Sequence, residues 1–163
     1  MKSLLRLLTT LTATLLILGV ATPIAQADAR YGKQKVVYHI NDDAPAKQIG
    51  ALRNVQNHIN AVGAEHLDVK VVLHGNGLSL LILPEALARL PKFKHGNADD
   101  SMAARIDGLK MQGVQFSVCA NTVKGRQVNV EDDLYDVEAA DIVPSGVAEL
   151  GHLQTLGYAY IKP

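Results

Sequence analysis

The sequence contains a single cysteine, Cys119, in 163 residues. One thiol excludes a disulfide within the chain. Familiar catalytic motifs are also missing, since no C-x-x-C, H-E-x-x-H, G-x-S-x-G or phosphate-loop lysine motif occurs. Cys119 therefore has three possible states, namely pairing with another chain, a buried inert thiol, or a reactive thiol.

An excess of positive charge is lacking as well. The chain carries 16 basic and 16 acidic residues. Removal of residues 1–27 takes away Lys2 and Arg6 and no acidic residue, which leaves 14 basic and 16 acidic residues. No electrostatic argument for nucleic-acid binding remains, and we expect no nucleic-acid partner.

The N-terminal segment has the three parts of a secretory signal. Positive Lys2 and Arg6 come first, an apolar stretch follows, and the small-residue sequence Ala-Gln-Ala ends at Ala27. The apolar stretch is short for a membrane span of roughly 20 residues and is interrupted by threonines and Gly19. We predict a cleaved signal peptide over residues 1–27, a periplasmic or secreted protein, and no stable membrane anchor.

Residues 28–163 suit one α/β domain. Short apolar segments predict strands at residues 35–40, 67–74, 114–119, 140–143 and 158–161. Residues 69–73 are nearly all apolar, with Lys70 as the exception, and this near-continuous apolarity indicates a strand covered on both faces. Strands that alternate with helices predict a single doubly wound, mostly parallel five-stranded sheet.

Helical spacing separates these strands. It predicts a helix through residues 49–62, a second helix over about 101–111 capped by Asp99 or Asp100, and a third that starts near Pro144 and Ser145. The apolar residues 78–83 fit either a helix or a strand. Residues 120–139 are predicted to be a long connection with a short helix at 131–135.

Polar residues follow three of the predicted strands at their carboxyl ends, where open α/β sheets bind ligands. If these strands are neighbours, the residues share one rim of the sheet. The candidate site residues are His39, Asn41, His74, Gly75, Asn76, Gly77, Cys119, Asn121 and Thr122.

Two interpretations of Cys119 stand side by side. A thiolate is the nucleophile, and its pKa falls beside a helix N-terminus or an imidazolium, which Asn121-Thr122 and His74 respectively offer. An unpaired cysteine is equally a common small hydrophobe of protein cores. Position alone leaves both open.

The other rim residues carry weaker signals. The turn from Gly75 to Gly77 offers backbone N–H groups to an anion, although a tight strand-to-helix turn explains it better. The six histidines lack the spacing of metal ligands, and although His39 and His74 could meet in space, nothing in the sequence supports a metal there. We therefore expect no metal and no cofactor.

Several segments in order along the chain together resemble the DsrE/DsrF-like family. They are residues 38–41 (YHIN), 54–58 (NVQNH), 72–78 (VLHGNGL), 113–122 (GVQFSVCANT), 143–150 (VPSGVAEL) and 157–163 (GYAYIKP). The resemblance implies a five-stranded, flavodoxin-like α/β domain that assembles as a homo-oligomer, a trimer or a hexamer. In the sulfur-relay members a strand-end cysteine carries sulfur as a persulfide, and Cys119 stands at the matching position.

What the resemblance implies for function is an exported sulfur carrier or sulfurtransferase. Cys119 would act as the nucleophile with His74 favouring its thiolate, and His74, Asn76 and Asn121 are similar to the residues that line the pocket. The partner would be a sulfur donor or acceptor protein. The alternatives are a non-catalytic module that binds a small anion or cofactor at the same rim, and a homo-oligomeric scaffold with an inert cysteine.

Overall fold

Residues 28–163 are described by the computed structural model, and they contain one sheet of five strands. The strands run in the order β4-β3-β2-β1-β5, and every neighbouring pair is parallel. Their bounds are Gln34–Ile40 for β1, Leu67–Leu73 for β2, Gln115–Cys119 for β3, Ile142–Val143 for β4 and Ala159–Ile161 for β5. The predicted fold class is confirmed, and the sheet is parallel throughout.

The helices cover both faces of this sheet. Their bounds are Asp28–Tyr31 for α1, Pro45–Val62 for α2, Asp100–Lys110 for α3, Ala120–Arg126 for α4, Val130–Asp133 for α5 and Gly146–Thr155 for α6. The predicted cap of α3 is present, because Asp99 accepts the Met102 N–H at 2.8 Å, and Ser145 caps α6 by accepting the Ala148 N–H at 3.3 Å. These two bonds satisfy helix donors that would otherwise lack partners, and so fix where α3 and α6 begin.

Successive residues of a strand point to opposite faces, and here each face has its own hydrophobic core. On one face, Tyr38 and Val71 join a large cluster with side chains of α2 and α3. On the other, Val37 and Val72 pack with Leu150 and other α6 residues. Burial on both faces explains why these strands lack a polar alternation.

The ambiguous apolar segment after β2 folds as neither an α-helix nor a full strand. It begins as the 3-10 helix Gly75–Leu80, and a single antiparallel bridge then joins Ile82 to Leu134. Gly77 lies so close to β1 that a Cβ atom there would be 1.9 Å from the Ile40 carbonyl oxygen. The second glycine of the Gly75-Asn76-Gly77 turn is therefore required for packing.

Two findings concern the membrane and the N-terminus. No helix within residues 28–163 is long and apolar enough to cross a membrane. The predicted signal peptide, residues 1–27, lies outside the described residues.

Candidate functional site

Cys119 lies where the chain leaves neighbouring strands in opposite directions. β3 continues into α4, whose Val123 packs against the core on the α2 and α3 face. β4, which pairs with β3 through Cys119 and Val143, continues into α6 on the other face. Connections that diverge in this way open a crevice at the carboxyl ends of the two strands. The cysteine thus occupies the topological switch point of the sheet.

Gly146, the first residue of α6, closes over Cys119. A Cβ atom at Gly146 would lie 2.9 Å from the His74 Cβ and 3.2 Å from the Cys119 Cβ. Only a residue without a side chain lets the first turn of α6 approach both residues so closely. The helix thereby brings the Gly146 N–H to the thiol.

The Cys119 thiol is surrounded by hydrogen-bond donors. Burial, which leaves 4% of the residue exposed, raises its pKa. Hydrogen bonds from the Gly146 N–H, the Thr122 hydroxyl and the N–H groups of Thr122 and Asn121 lower the pKa. The net result is a pKa below the ordinary value of a cysteine. Donors that converge on sulfur stabilise the thiolate more than the neutral thiol.

The Thr122 hydroxyl is oriented by a second bond. Its oxygen accepts the Gly75 N–H at 2.9 Å. A backbone N–H can only donate, so the hydroxyl proton stays available for the Cys119 sulfur. Thr122 and Gly75 are thus both part of the site, with Gly75 acting through Thr122.

His74 and His39 form a hydrogen-bonded pair beside the cysteine. The His39 Nε2 lies 2.8 Å from the His74 Nδ1, and the His39 Nδ1 lies 2.7 Å from the Tyr160 hydroxyl. Burial, His74 and Lys162 lower the pKa of His39 to about 4. Burial, Lys162 and Arg126 also lower the pKa of His74. Both rings are therefore neutral at pH 7.

Most of the described chain matches the model of one protein family. The model of the DsrE/DsrF-like family matches residues 35–163. The chain belongs to the DsrE/DsrF-like family. This family is associated with sulfur relay.

Two solved structures resemble the domain. MTH1491 of Methanobacterium thermoautotrophicum, a protein of unknown function, is 28% identical, with a TM-score of 0.63 over 80% of this chain and 100% of that chain. The ychN protein of E. coli is 14% identical, with a TM-score of 0.54 over 81% of this chain and 99% of that chain, and this likeness concerns the fold alone. No curated protein matches the chain.

The other candidate residues of this DsrE-like chain lie apart from the sulfur. The exposed Asn76 accepts a hydrogen bond from the Arg126 Nη2 at 2.7 Å. Asn121 is also exposed and contributes its backbone N–H rather than its side chain. Gly77 has the packing role described above. Of these three rim residues, Asn121 donates its backbone N–H to the Cys119 sulfur, Asn76 binds Arg126, and Gly77 allows close packing against β1.

Asn41 belongs to a separate cavity of about 460 Å³. His39 and Lys162 also line this cavity, whereas Cys119 and His74 are not among the described residues that line it. His39 therefore lines this cavity and is also hydrogen-bonded to His74. No cluster of three or more His, Cys, Asp or Glu suited to a metal ion occurs within residues 28–163.

Sequence reasoning missed Gly146 and Tyr160 as site residues. Gly146 was recognisable only as the start of a helix after Pro144 and Ser145. Tyr160 reaches His39 because β5 is the edge strand next to β1, where Tyr160 pairs with Val37. The order of strands in a sheet has no local signal in the sequence, so this contact was not predictable.

Proposed function

We propose that this DsrE-like protein is a persulfide carrier or sulfurtransferase in which Cys119 is the nucleophile. The observation that supports the proposal is the set of four hydrogen bonds that favours the thiolate at the β3–β4 crevice. The thiolate is the form that attacks sulfur. A merely structural cysteine needs no such set of donors, because apolar contacts are enough for a buried thiol.

The chemistry consists of two substitutions at sulfur. In the loading step, the Cys119 thiolate attacks the sulfane sulfur of the donor. A bond forms between Sγ and that sulfur, and the bond from the sulfur to the rest of the donor breaks; thiosulfate would release sulfite. In the unloading step, an acceptor thiolate attacks the outer sulfur of the persulfide, and the electron pair of the broken bond returns to Sγ. The two steps consume no external oxidant or reductant.

His74 is the candidate proton acceptor of this cycle. It lies against Gly146 on the same side of the sheet as Cys119. An acceptor thiol must lose its proton to become a nucleophile, and a neutral imidazole can take that proton. The sequence suggested that a charged His74 favours the Cys119 thiolate. A neutral His74 is better suited to accept a proton than to stabilise that thiolate by its charge.

Two further parts of the proposal rest on the sequence. A cleaved signal at residues 1–27 would place the carrier in the periplasm or outside the cell, where its sulfur donor and acceptor would also be found. Assembly as a trimer or hexamer follows the family resemblance. A thiol in an oxidising compartment is exposed to oxidation, and the 4% exposure of Cys119 would limit that reaction.

Mass spectrometry tests the proposal directly. We expect incubation with thiosulfate or polysulfide to add the mass of one sulfur atom to the wild-type protein and nothing to Cys119→Ser. We also expect alkylation of Cys119 to have a midpoint below about pH 8.5, the ordinary thiol pKa. No adduct, combined with slow alkylation at neutral pH, would contradict the carrier function. Equal thermal stabilisation of wild type and Cys119→Ser by thiosulfate, without an adduct, would favour a binding module instead.

A further inference from the structure

Tyr160, His39 and His74 form an unbroken line of hydrogen bonds that leads from the protein surface to the sulfur site. Tyr160 is 42% exposed, His39 is 8% exposed and His74 is half-buried, so the line begins in solvent, passes through a buried ring and ends at a half-buried ring beside Gly146. At the other end of the line, the His74 Nε2 makes no hydrogen bond with any of the described residues. That nitrogen is the free end of the line.

The line has two neutral arrangements. In the first, the His74 Nδ1–H donates to His39, the His39 Nδ1–H donates to Tyr160, and the Tyr160 hydroxyl proton faces solvent. In the second, both hydrogen bonds are reversed, and the proton of His74 is on Nε2. Each neutral imidazole has one N–H and one acceptor nitrogen, so both arrangements satisfy every bond. Conversion of the first into the second moves one proton along the whole line.

Surrounding charges disfavour a histidine that keeps an extra proton. Lys162, which follows β5, acts on both rings, and Arg126 of α4 acts on His74. No carboxylate forms a salt bridge with Lys162 or Arg126 among residues 28–163. Across the cavity from His39, Asp42 is already engaged by Lys47 at 2.6 Å. A proton taken up by His74 is therefore not retained, and the hydrogen bond to His39 offers it a path away from the sulfur site.

We propose that Tyr160 and His39 are positioning residues of a proton relay that carries the proton of an acceptor thiol through His74 to solvent. The relay rests on the proposed persulfide function. The thiol S–H bond breaks as a bond forms to the His74 Nε2, the His74 Nδ1 proton moves to His39, the His39 Nδ1 proton moves to Tyr160, and the Tyr160 proton passes to water. The reverse movement gives a proton to a thiolate that leaves the donor during loading and restores the first arrangement.

Single-turnover transfer from preloaded Cys119 persulfide tests the relay. At pH 7 the acceptors are 2-mercaptoethanol, which is mostly protonated, and 2-nitro-5-thiobenzoate, which is ionised. We expect Tyr160→Phe and His39→Gln to slow transfer to the first thiol at least about tenfold, since proton transfer by a positioned group contributes about 10²–10⁴-fold. Transfer to the ionised thiol should be unchanged. The matched control is Tyr135→Phe, whose hydroxyl binds Asp107 elsewhere.

The pH profile separates a relay from structural damage. With the alkyl thiol, the rates of the relay variants should rise with pH and approach the wild-type rate once the thiol is ionised. Equal slowing with both thiols, or no slowing with either, would overturn the relay. A wild-type protein that never loads sulfur would contradict the proposed function instead. In that case side-chain ¹⁵N NMR still tests the relay, because a doubly protonated His39 at pH 7 would refute it.

Discussion

Acidification from pH 7 to pH 5 should destabilise the protein, and His39 should account for much of the loss. In the unfolded chain a histidine has a pKa near 6.5, whereas the fold lowers the pKa of His39 to about 4. Between these values the unfolded state binds a proton that the folded state does not, so stability falls as the pH falls. Each pH unit in this window corresponds to about 1.4 kcal/mol. The fall from pH 6.5 to pH 5 therefore costs about 2 kcal/mol.

Urea unfolding at pH 7 and pH 5 measures this cost. His39→Gln should be less stable than wild type at pH 7 because it loses bonds to His74 and Tyr160. Its further loss between pH 7 and pH 5 should be smaller than that of wild type by about 2 kcal/mol.

Carboxylates titrate in both proteins, so the difference between them isolates His39. His152→Gln, which replaces an exposed histidine of α6, is the matched control for the loss of one imidazole. Equal pH dependence in wild type and His39→Gln would refute the assignment of a neutral, buried His39.

Two glycines give further tests. In thermal or urea unfolding, Gly77→Ala should destabilise the fold by about 3 kcal/mol, because the new Cβ would lie 1.9 Å from a backbone oxygen. The control is Gly108→Ala in α3, where a new Cβ would meet nothing within 4 Å. This substitution should stabilise the fold by up to about 1 kcal/mol. Gly146→Ala should push α6 away from Cys119 and move the midpoint of thiol alkylation to higher pH. Gly151→Ala lies on the same helix with no neighbour within 4 Å and should leave that midpoint unchanged. An unchanged midpoint in Gly146→Ala would contradict the role of the Gly146 N–H.

The fold was predictable because its signals are local. Residues 69–73 are apolar except for Lys70, which makes both faces of this strand largely apolar, and Asp99 and Ser145 cap the helices that follow them. The helix α4 was missed for an equally local reason. It is seven residues long and Thr122 is its one buried residue, so it has no apolar stripe to reveal it.

The candidate site was predictable only in part. A strand-end position identified Cys119, His74 and His39, and the structure confirms that β1, β2 and β3 are neighbours. The contact between His39 and Tyr160 joins residues 121 positions apart. This contact forms because the last strand, β5, pairs with β1, and no sequence pattern near either residue predicts that pairing.

The order of strands also explains why the sulfur site and the relay form one system. Across the sheet, β4 leads to Gly146, β3 ends in Cys119, β2 is followed by His74, β1 contains His39 and β5 contains Tyr160. Side chains two residues apart share a face, so His39 points to the same side as Val37, where α6 packs. Neighbouring strands lie about 4.8 Å apart, which one imidazole ring can span. Each functional group is therefore within reach of the next because each strand contributes one.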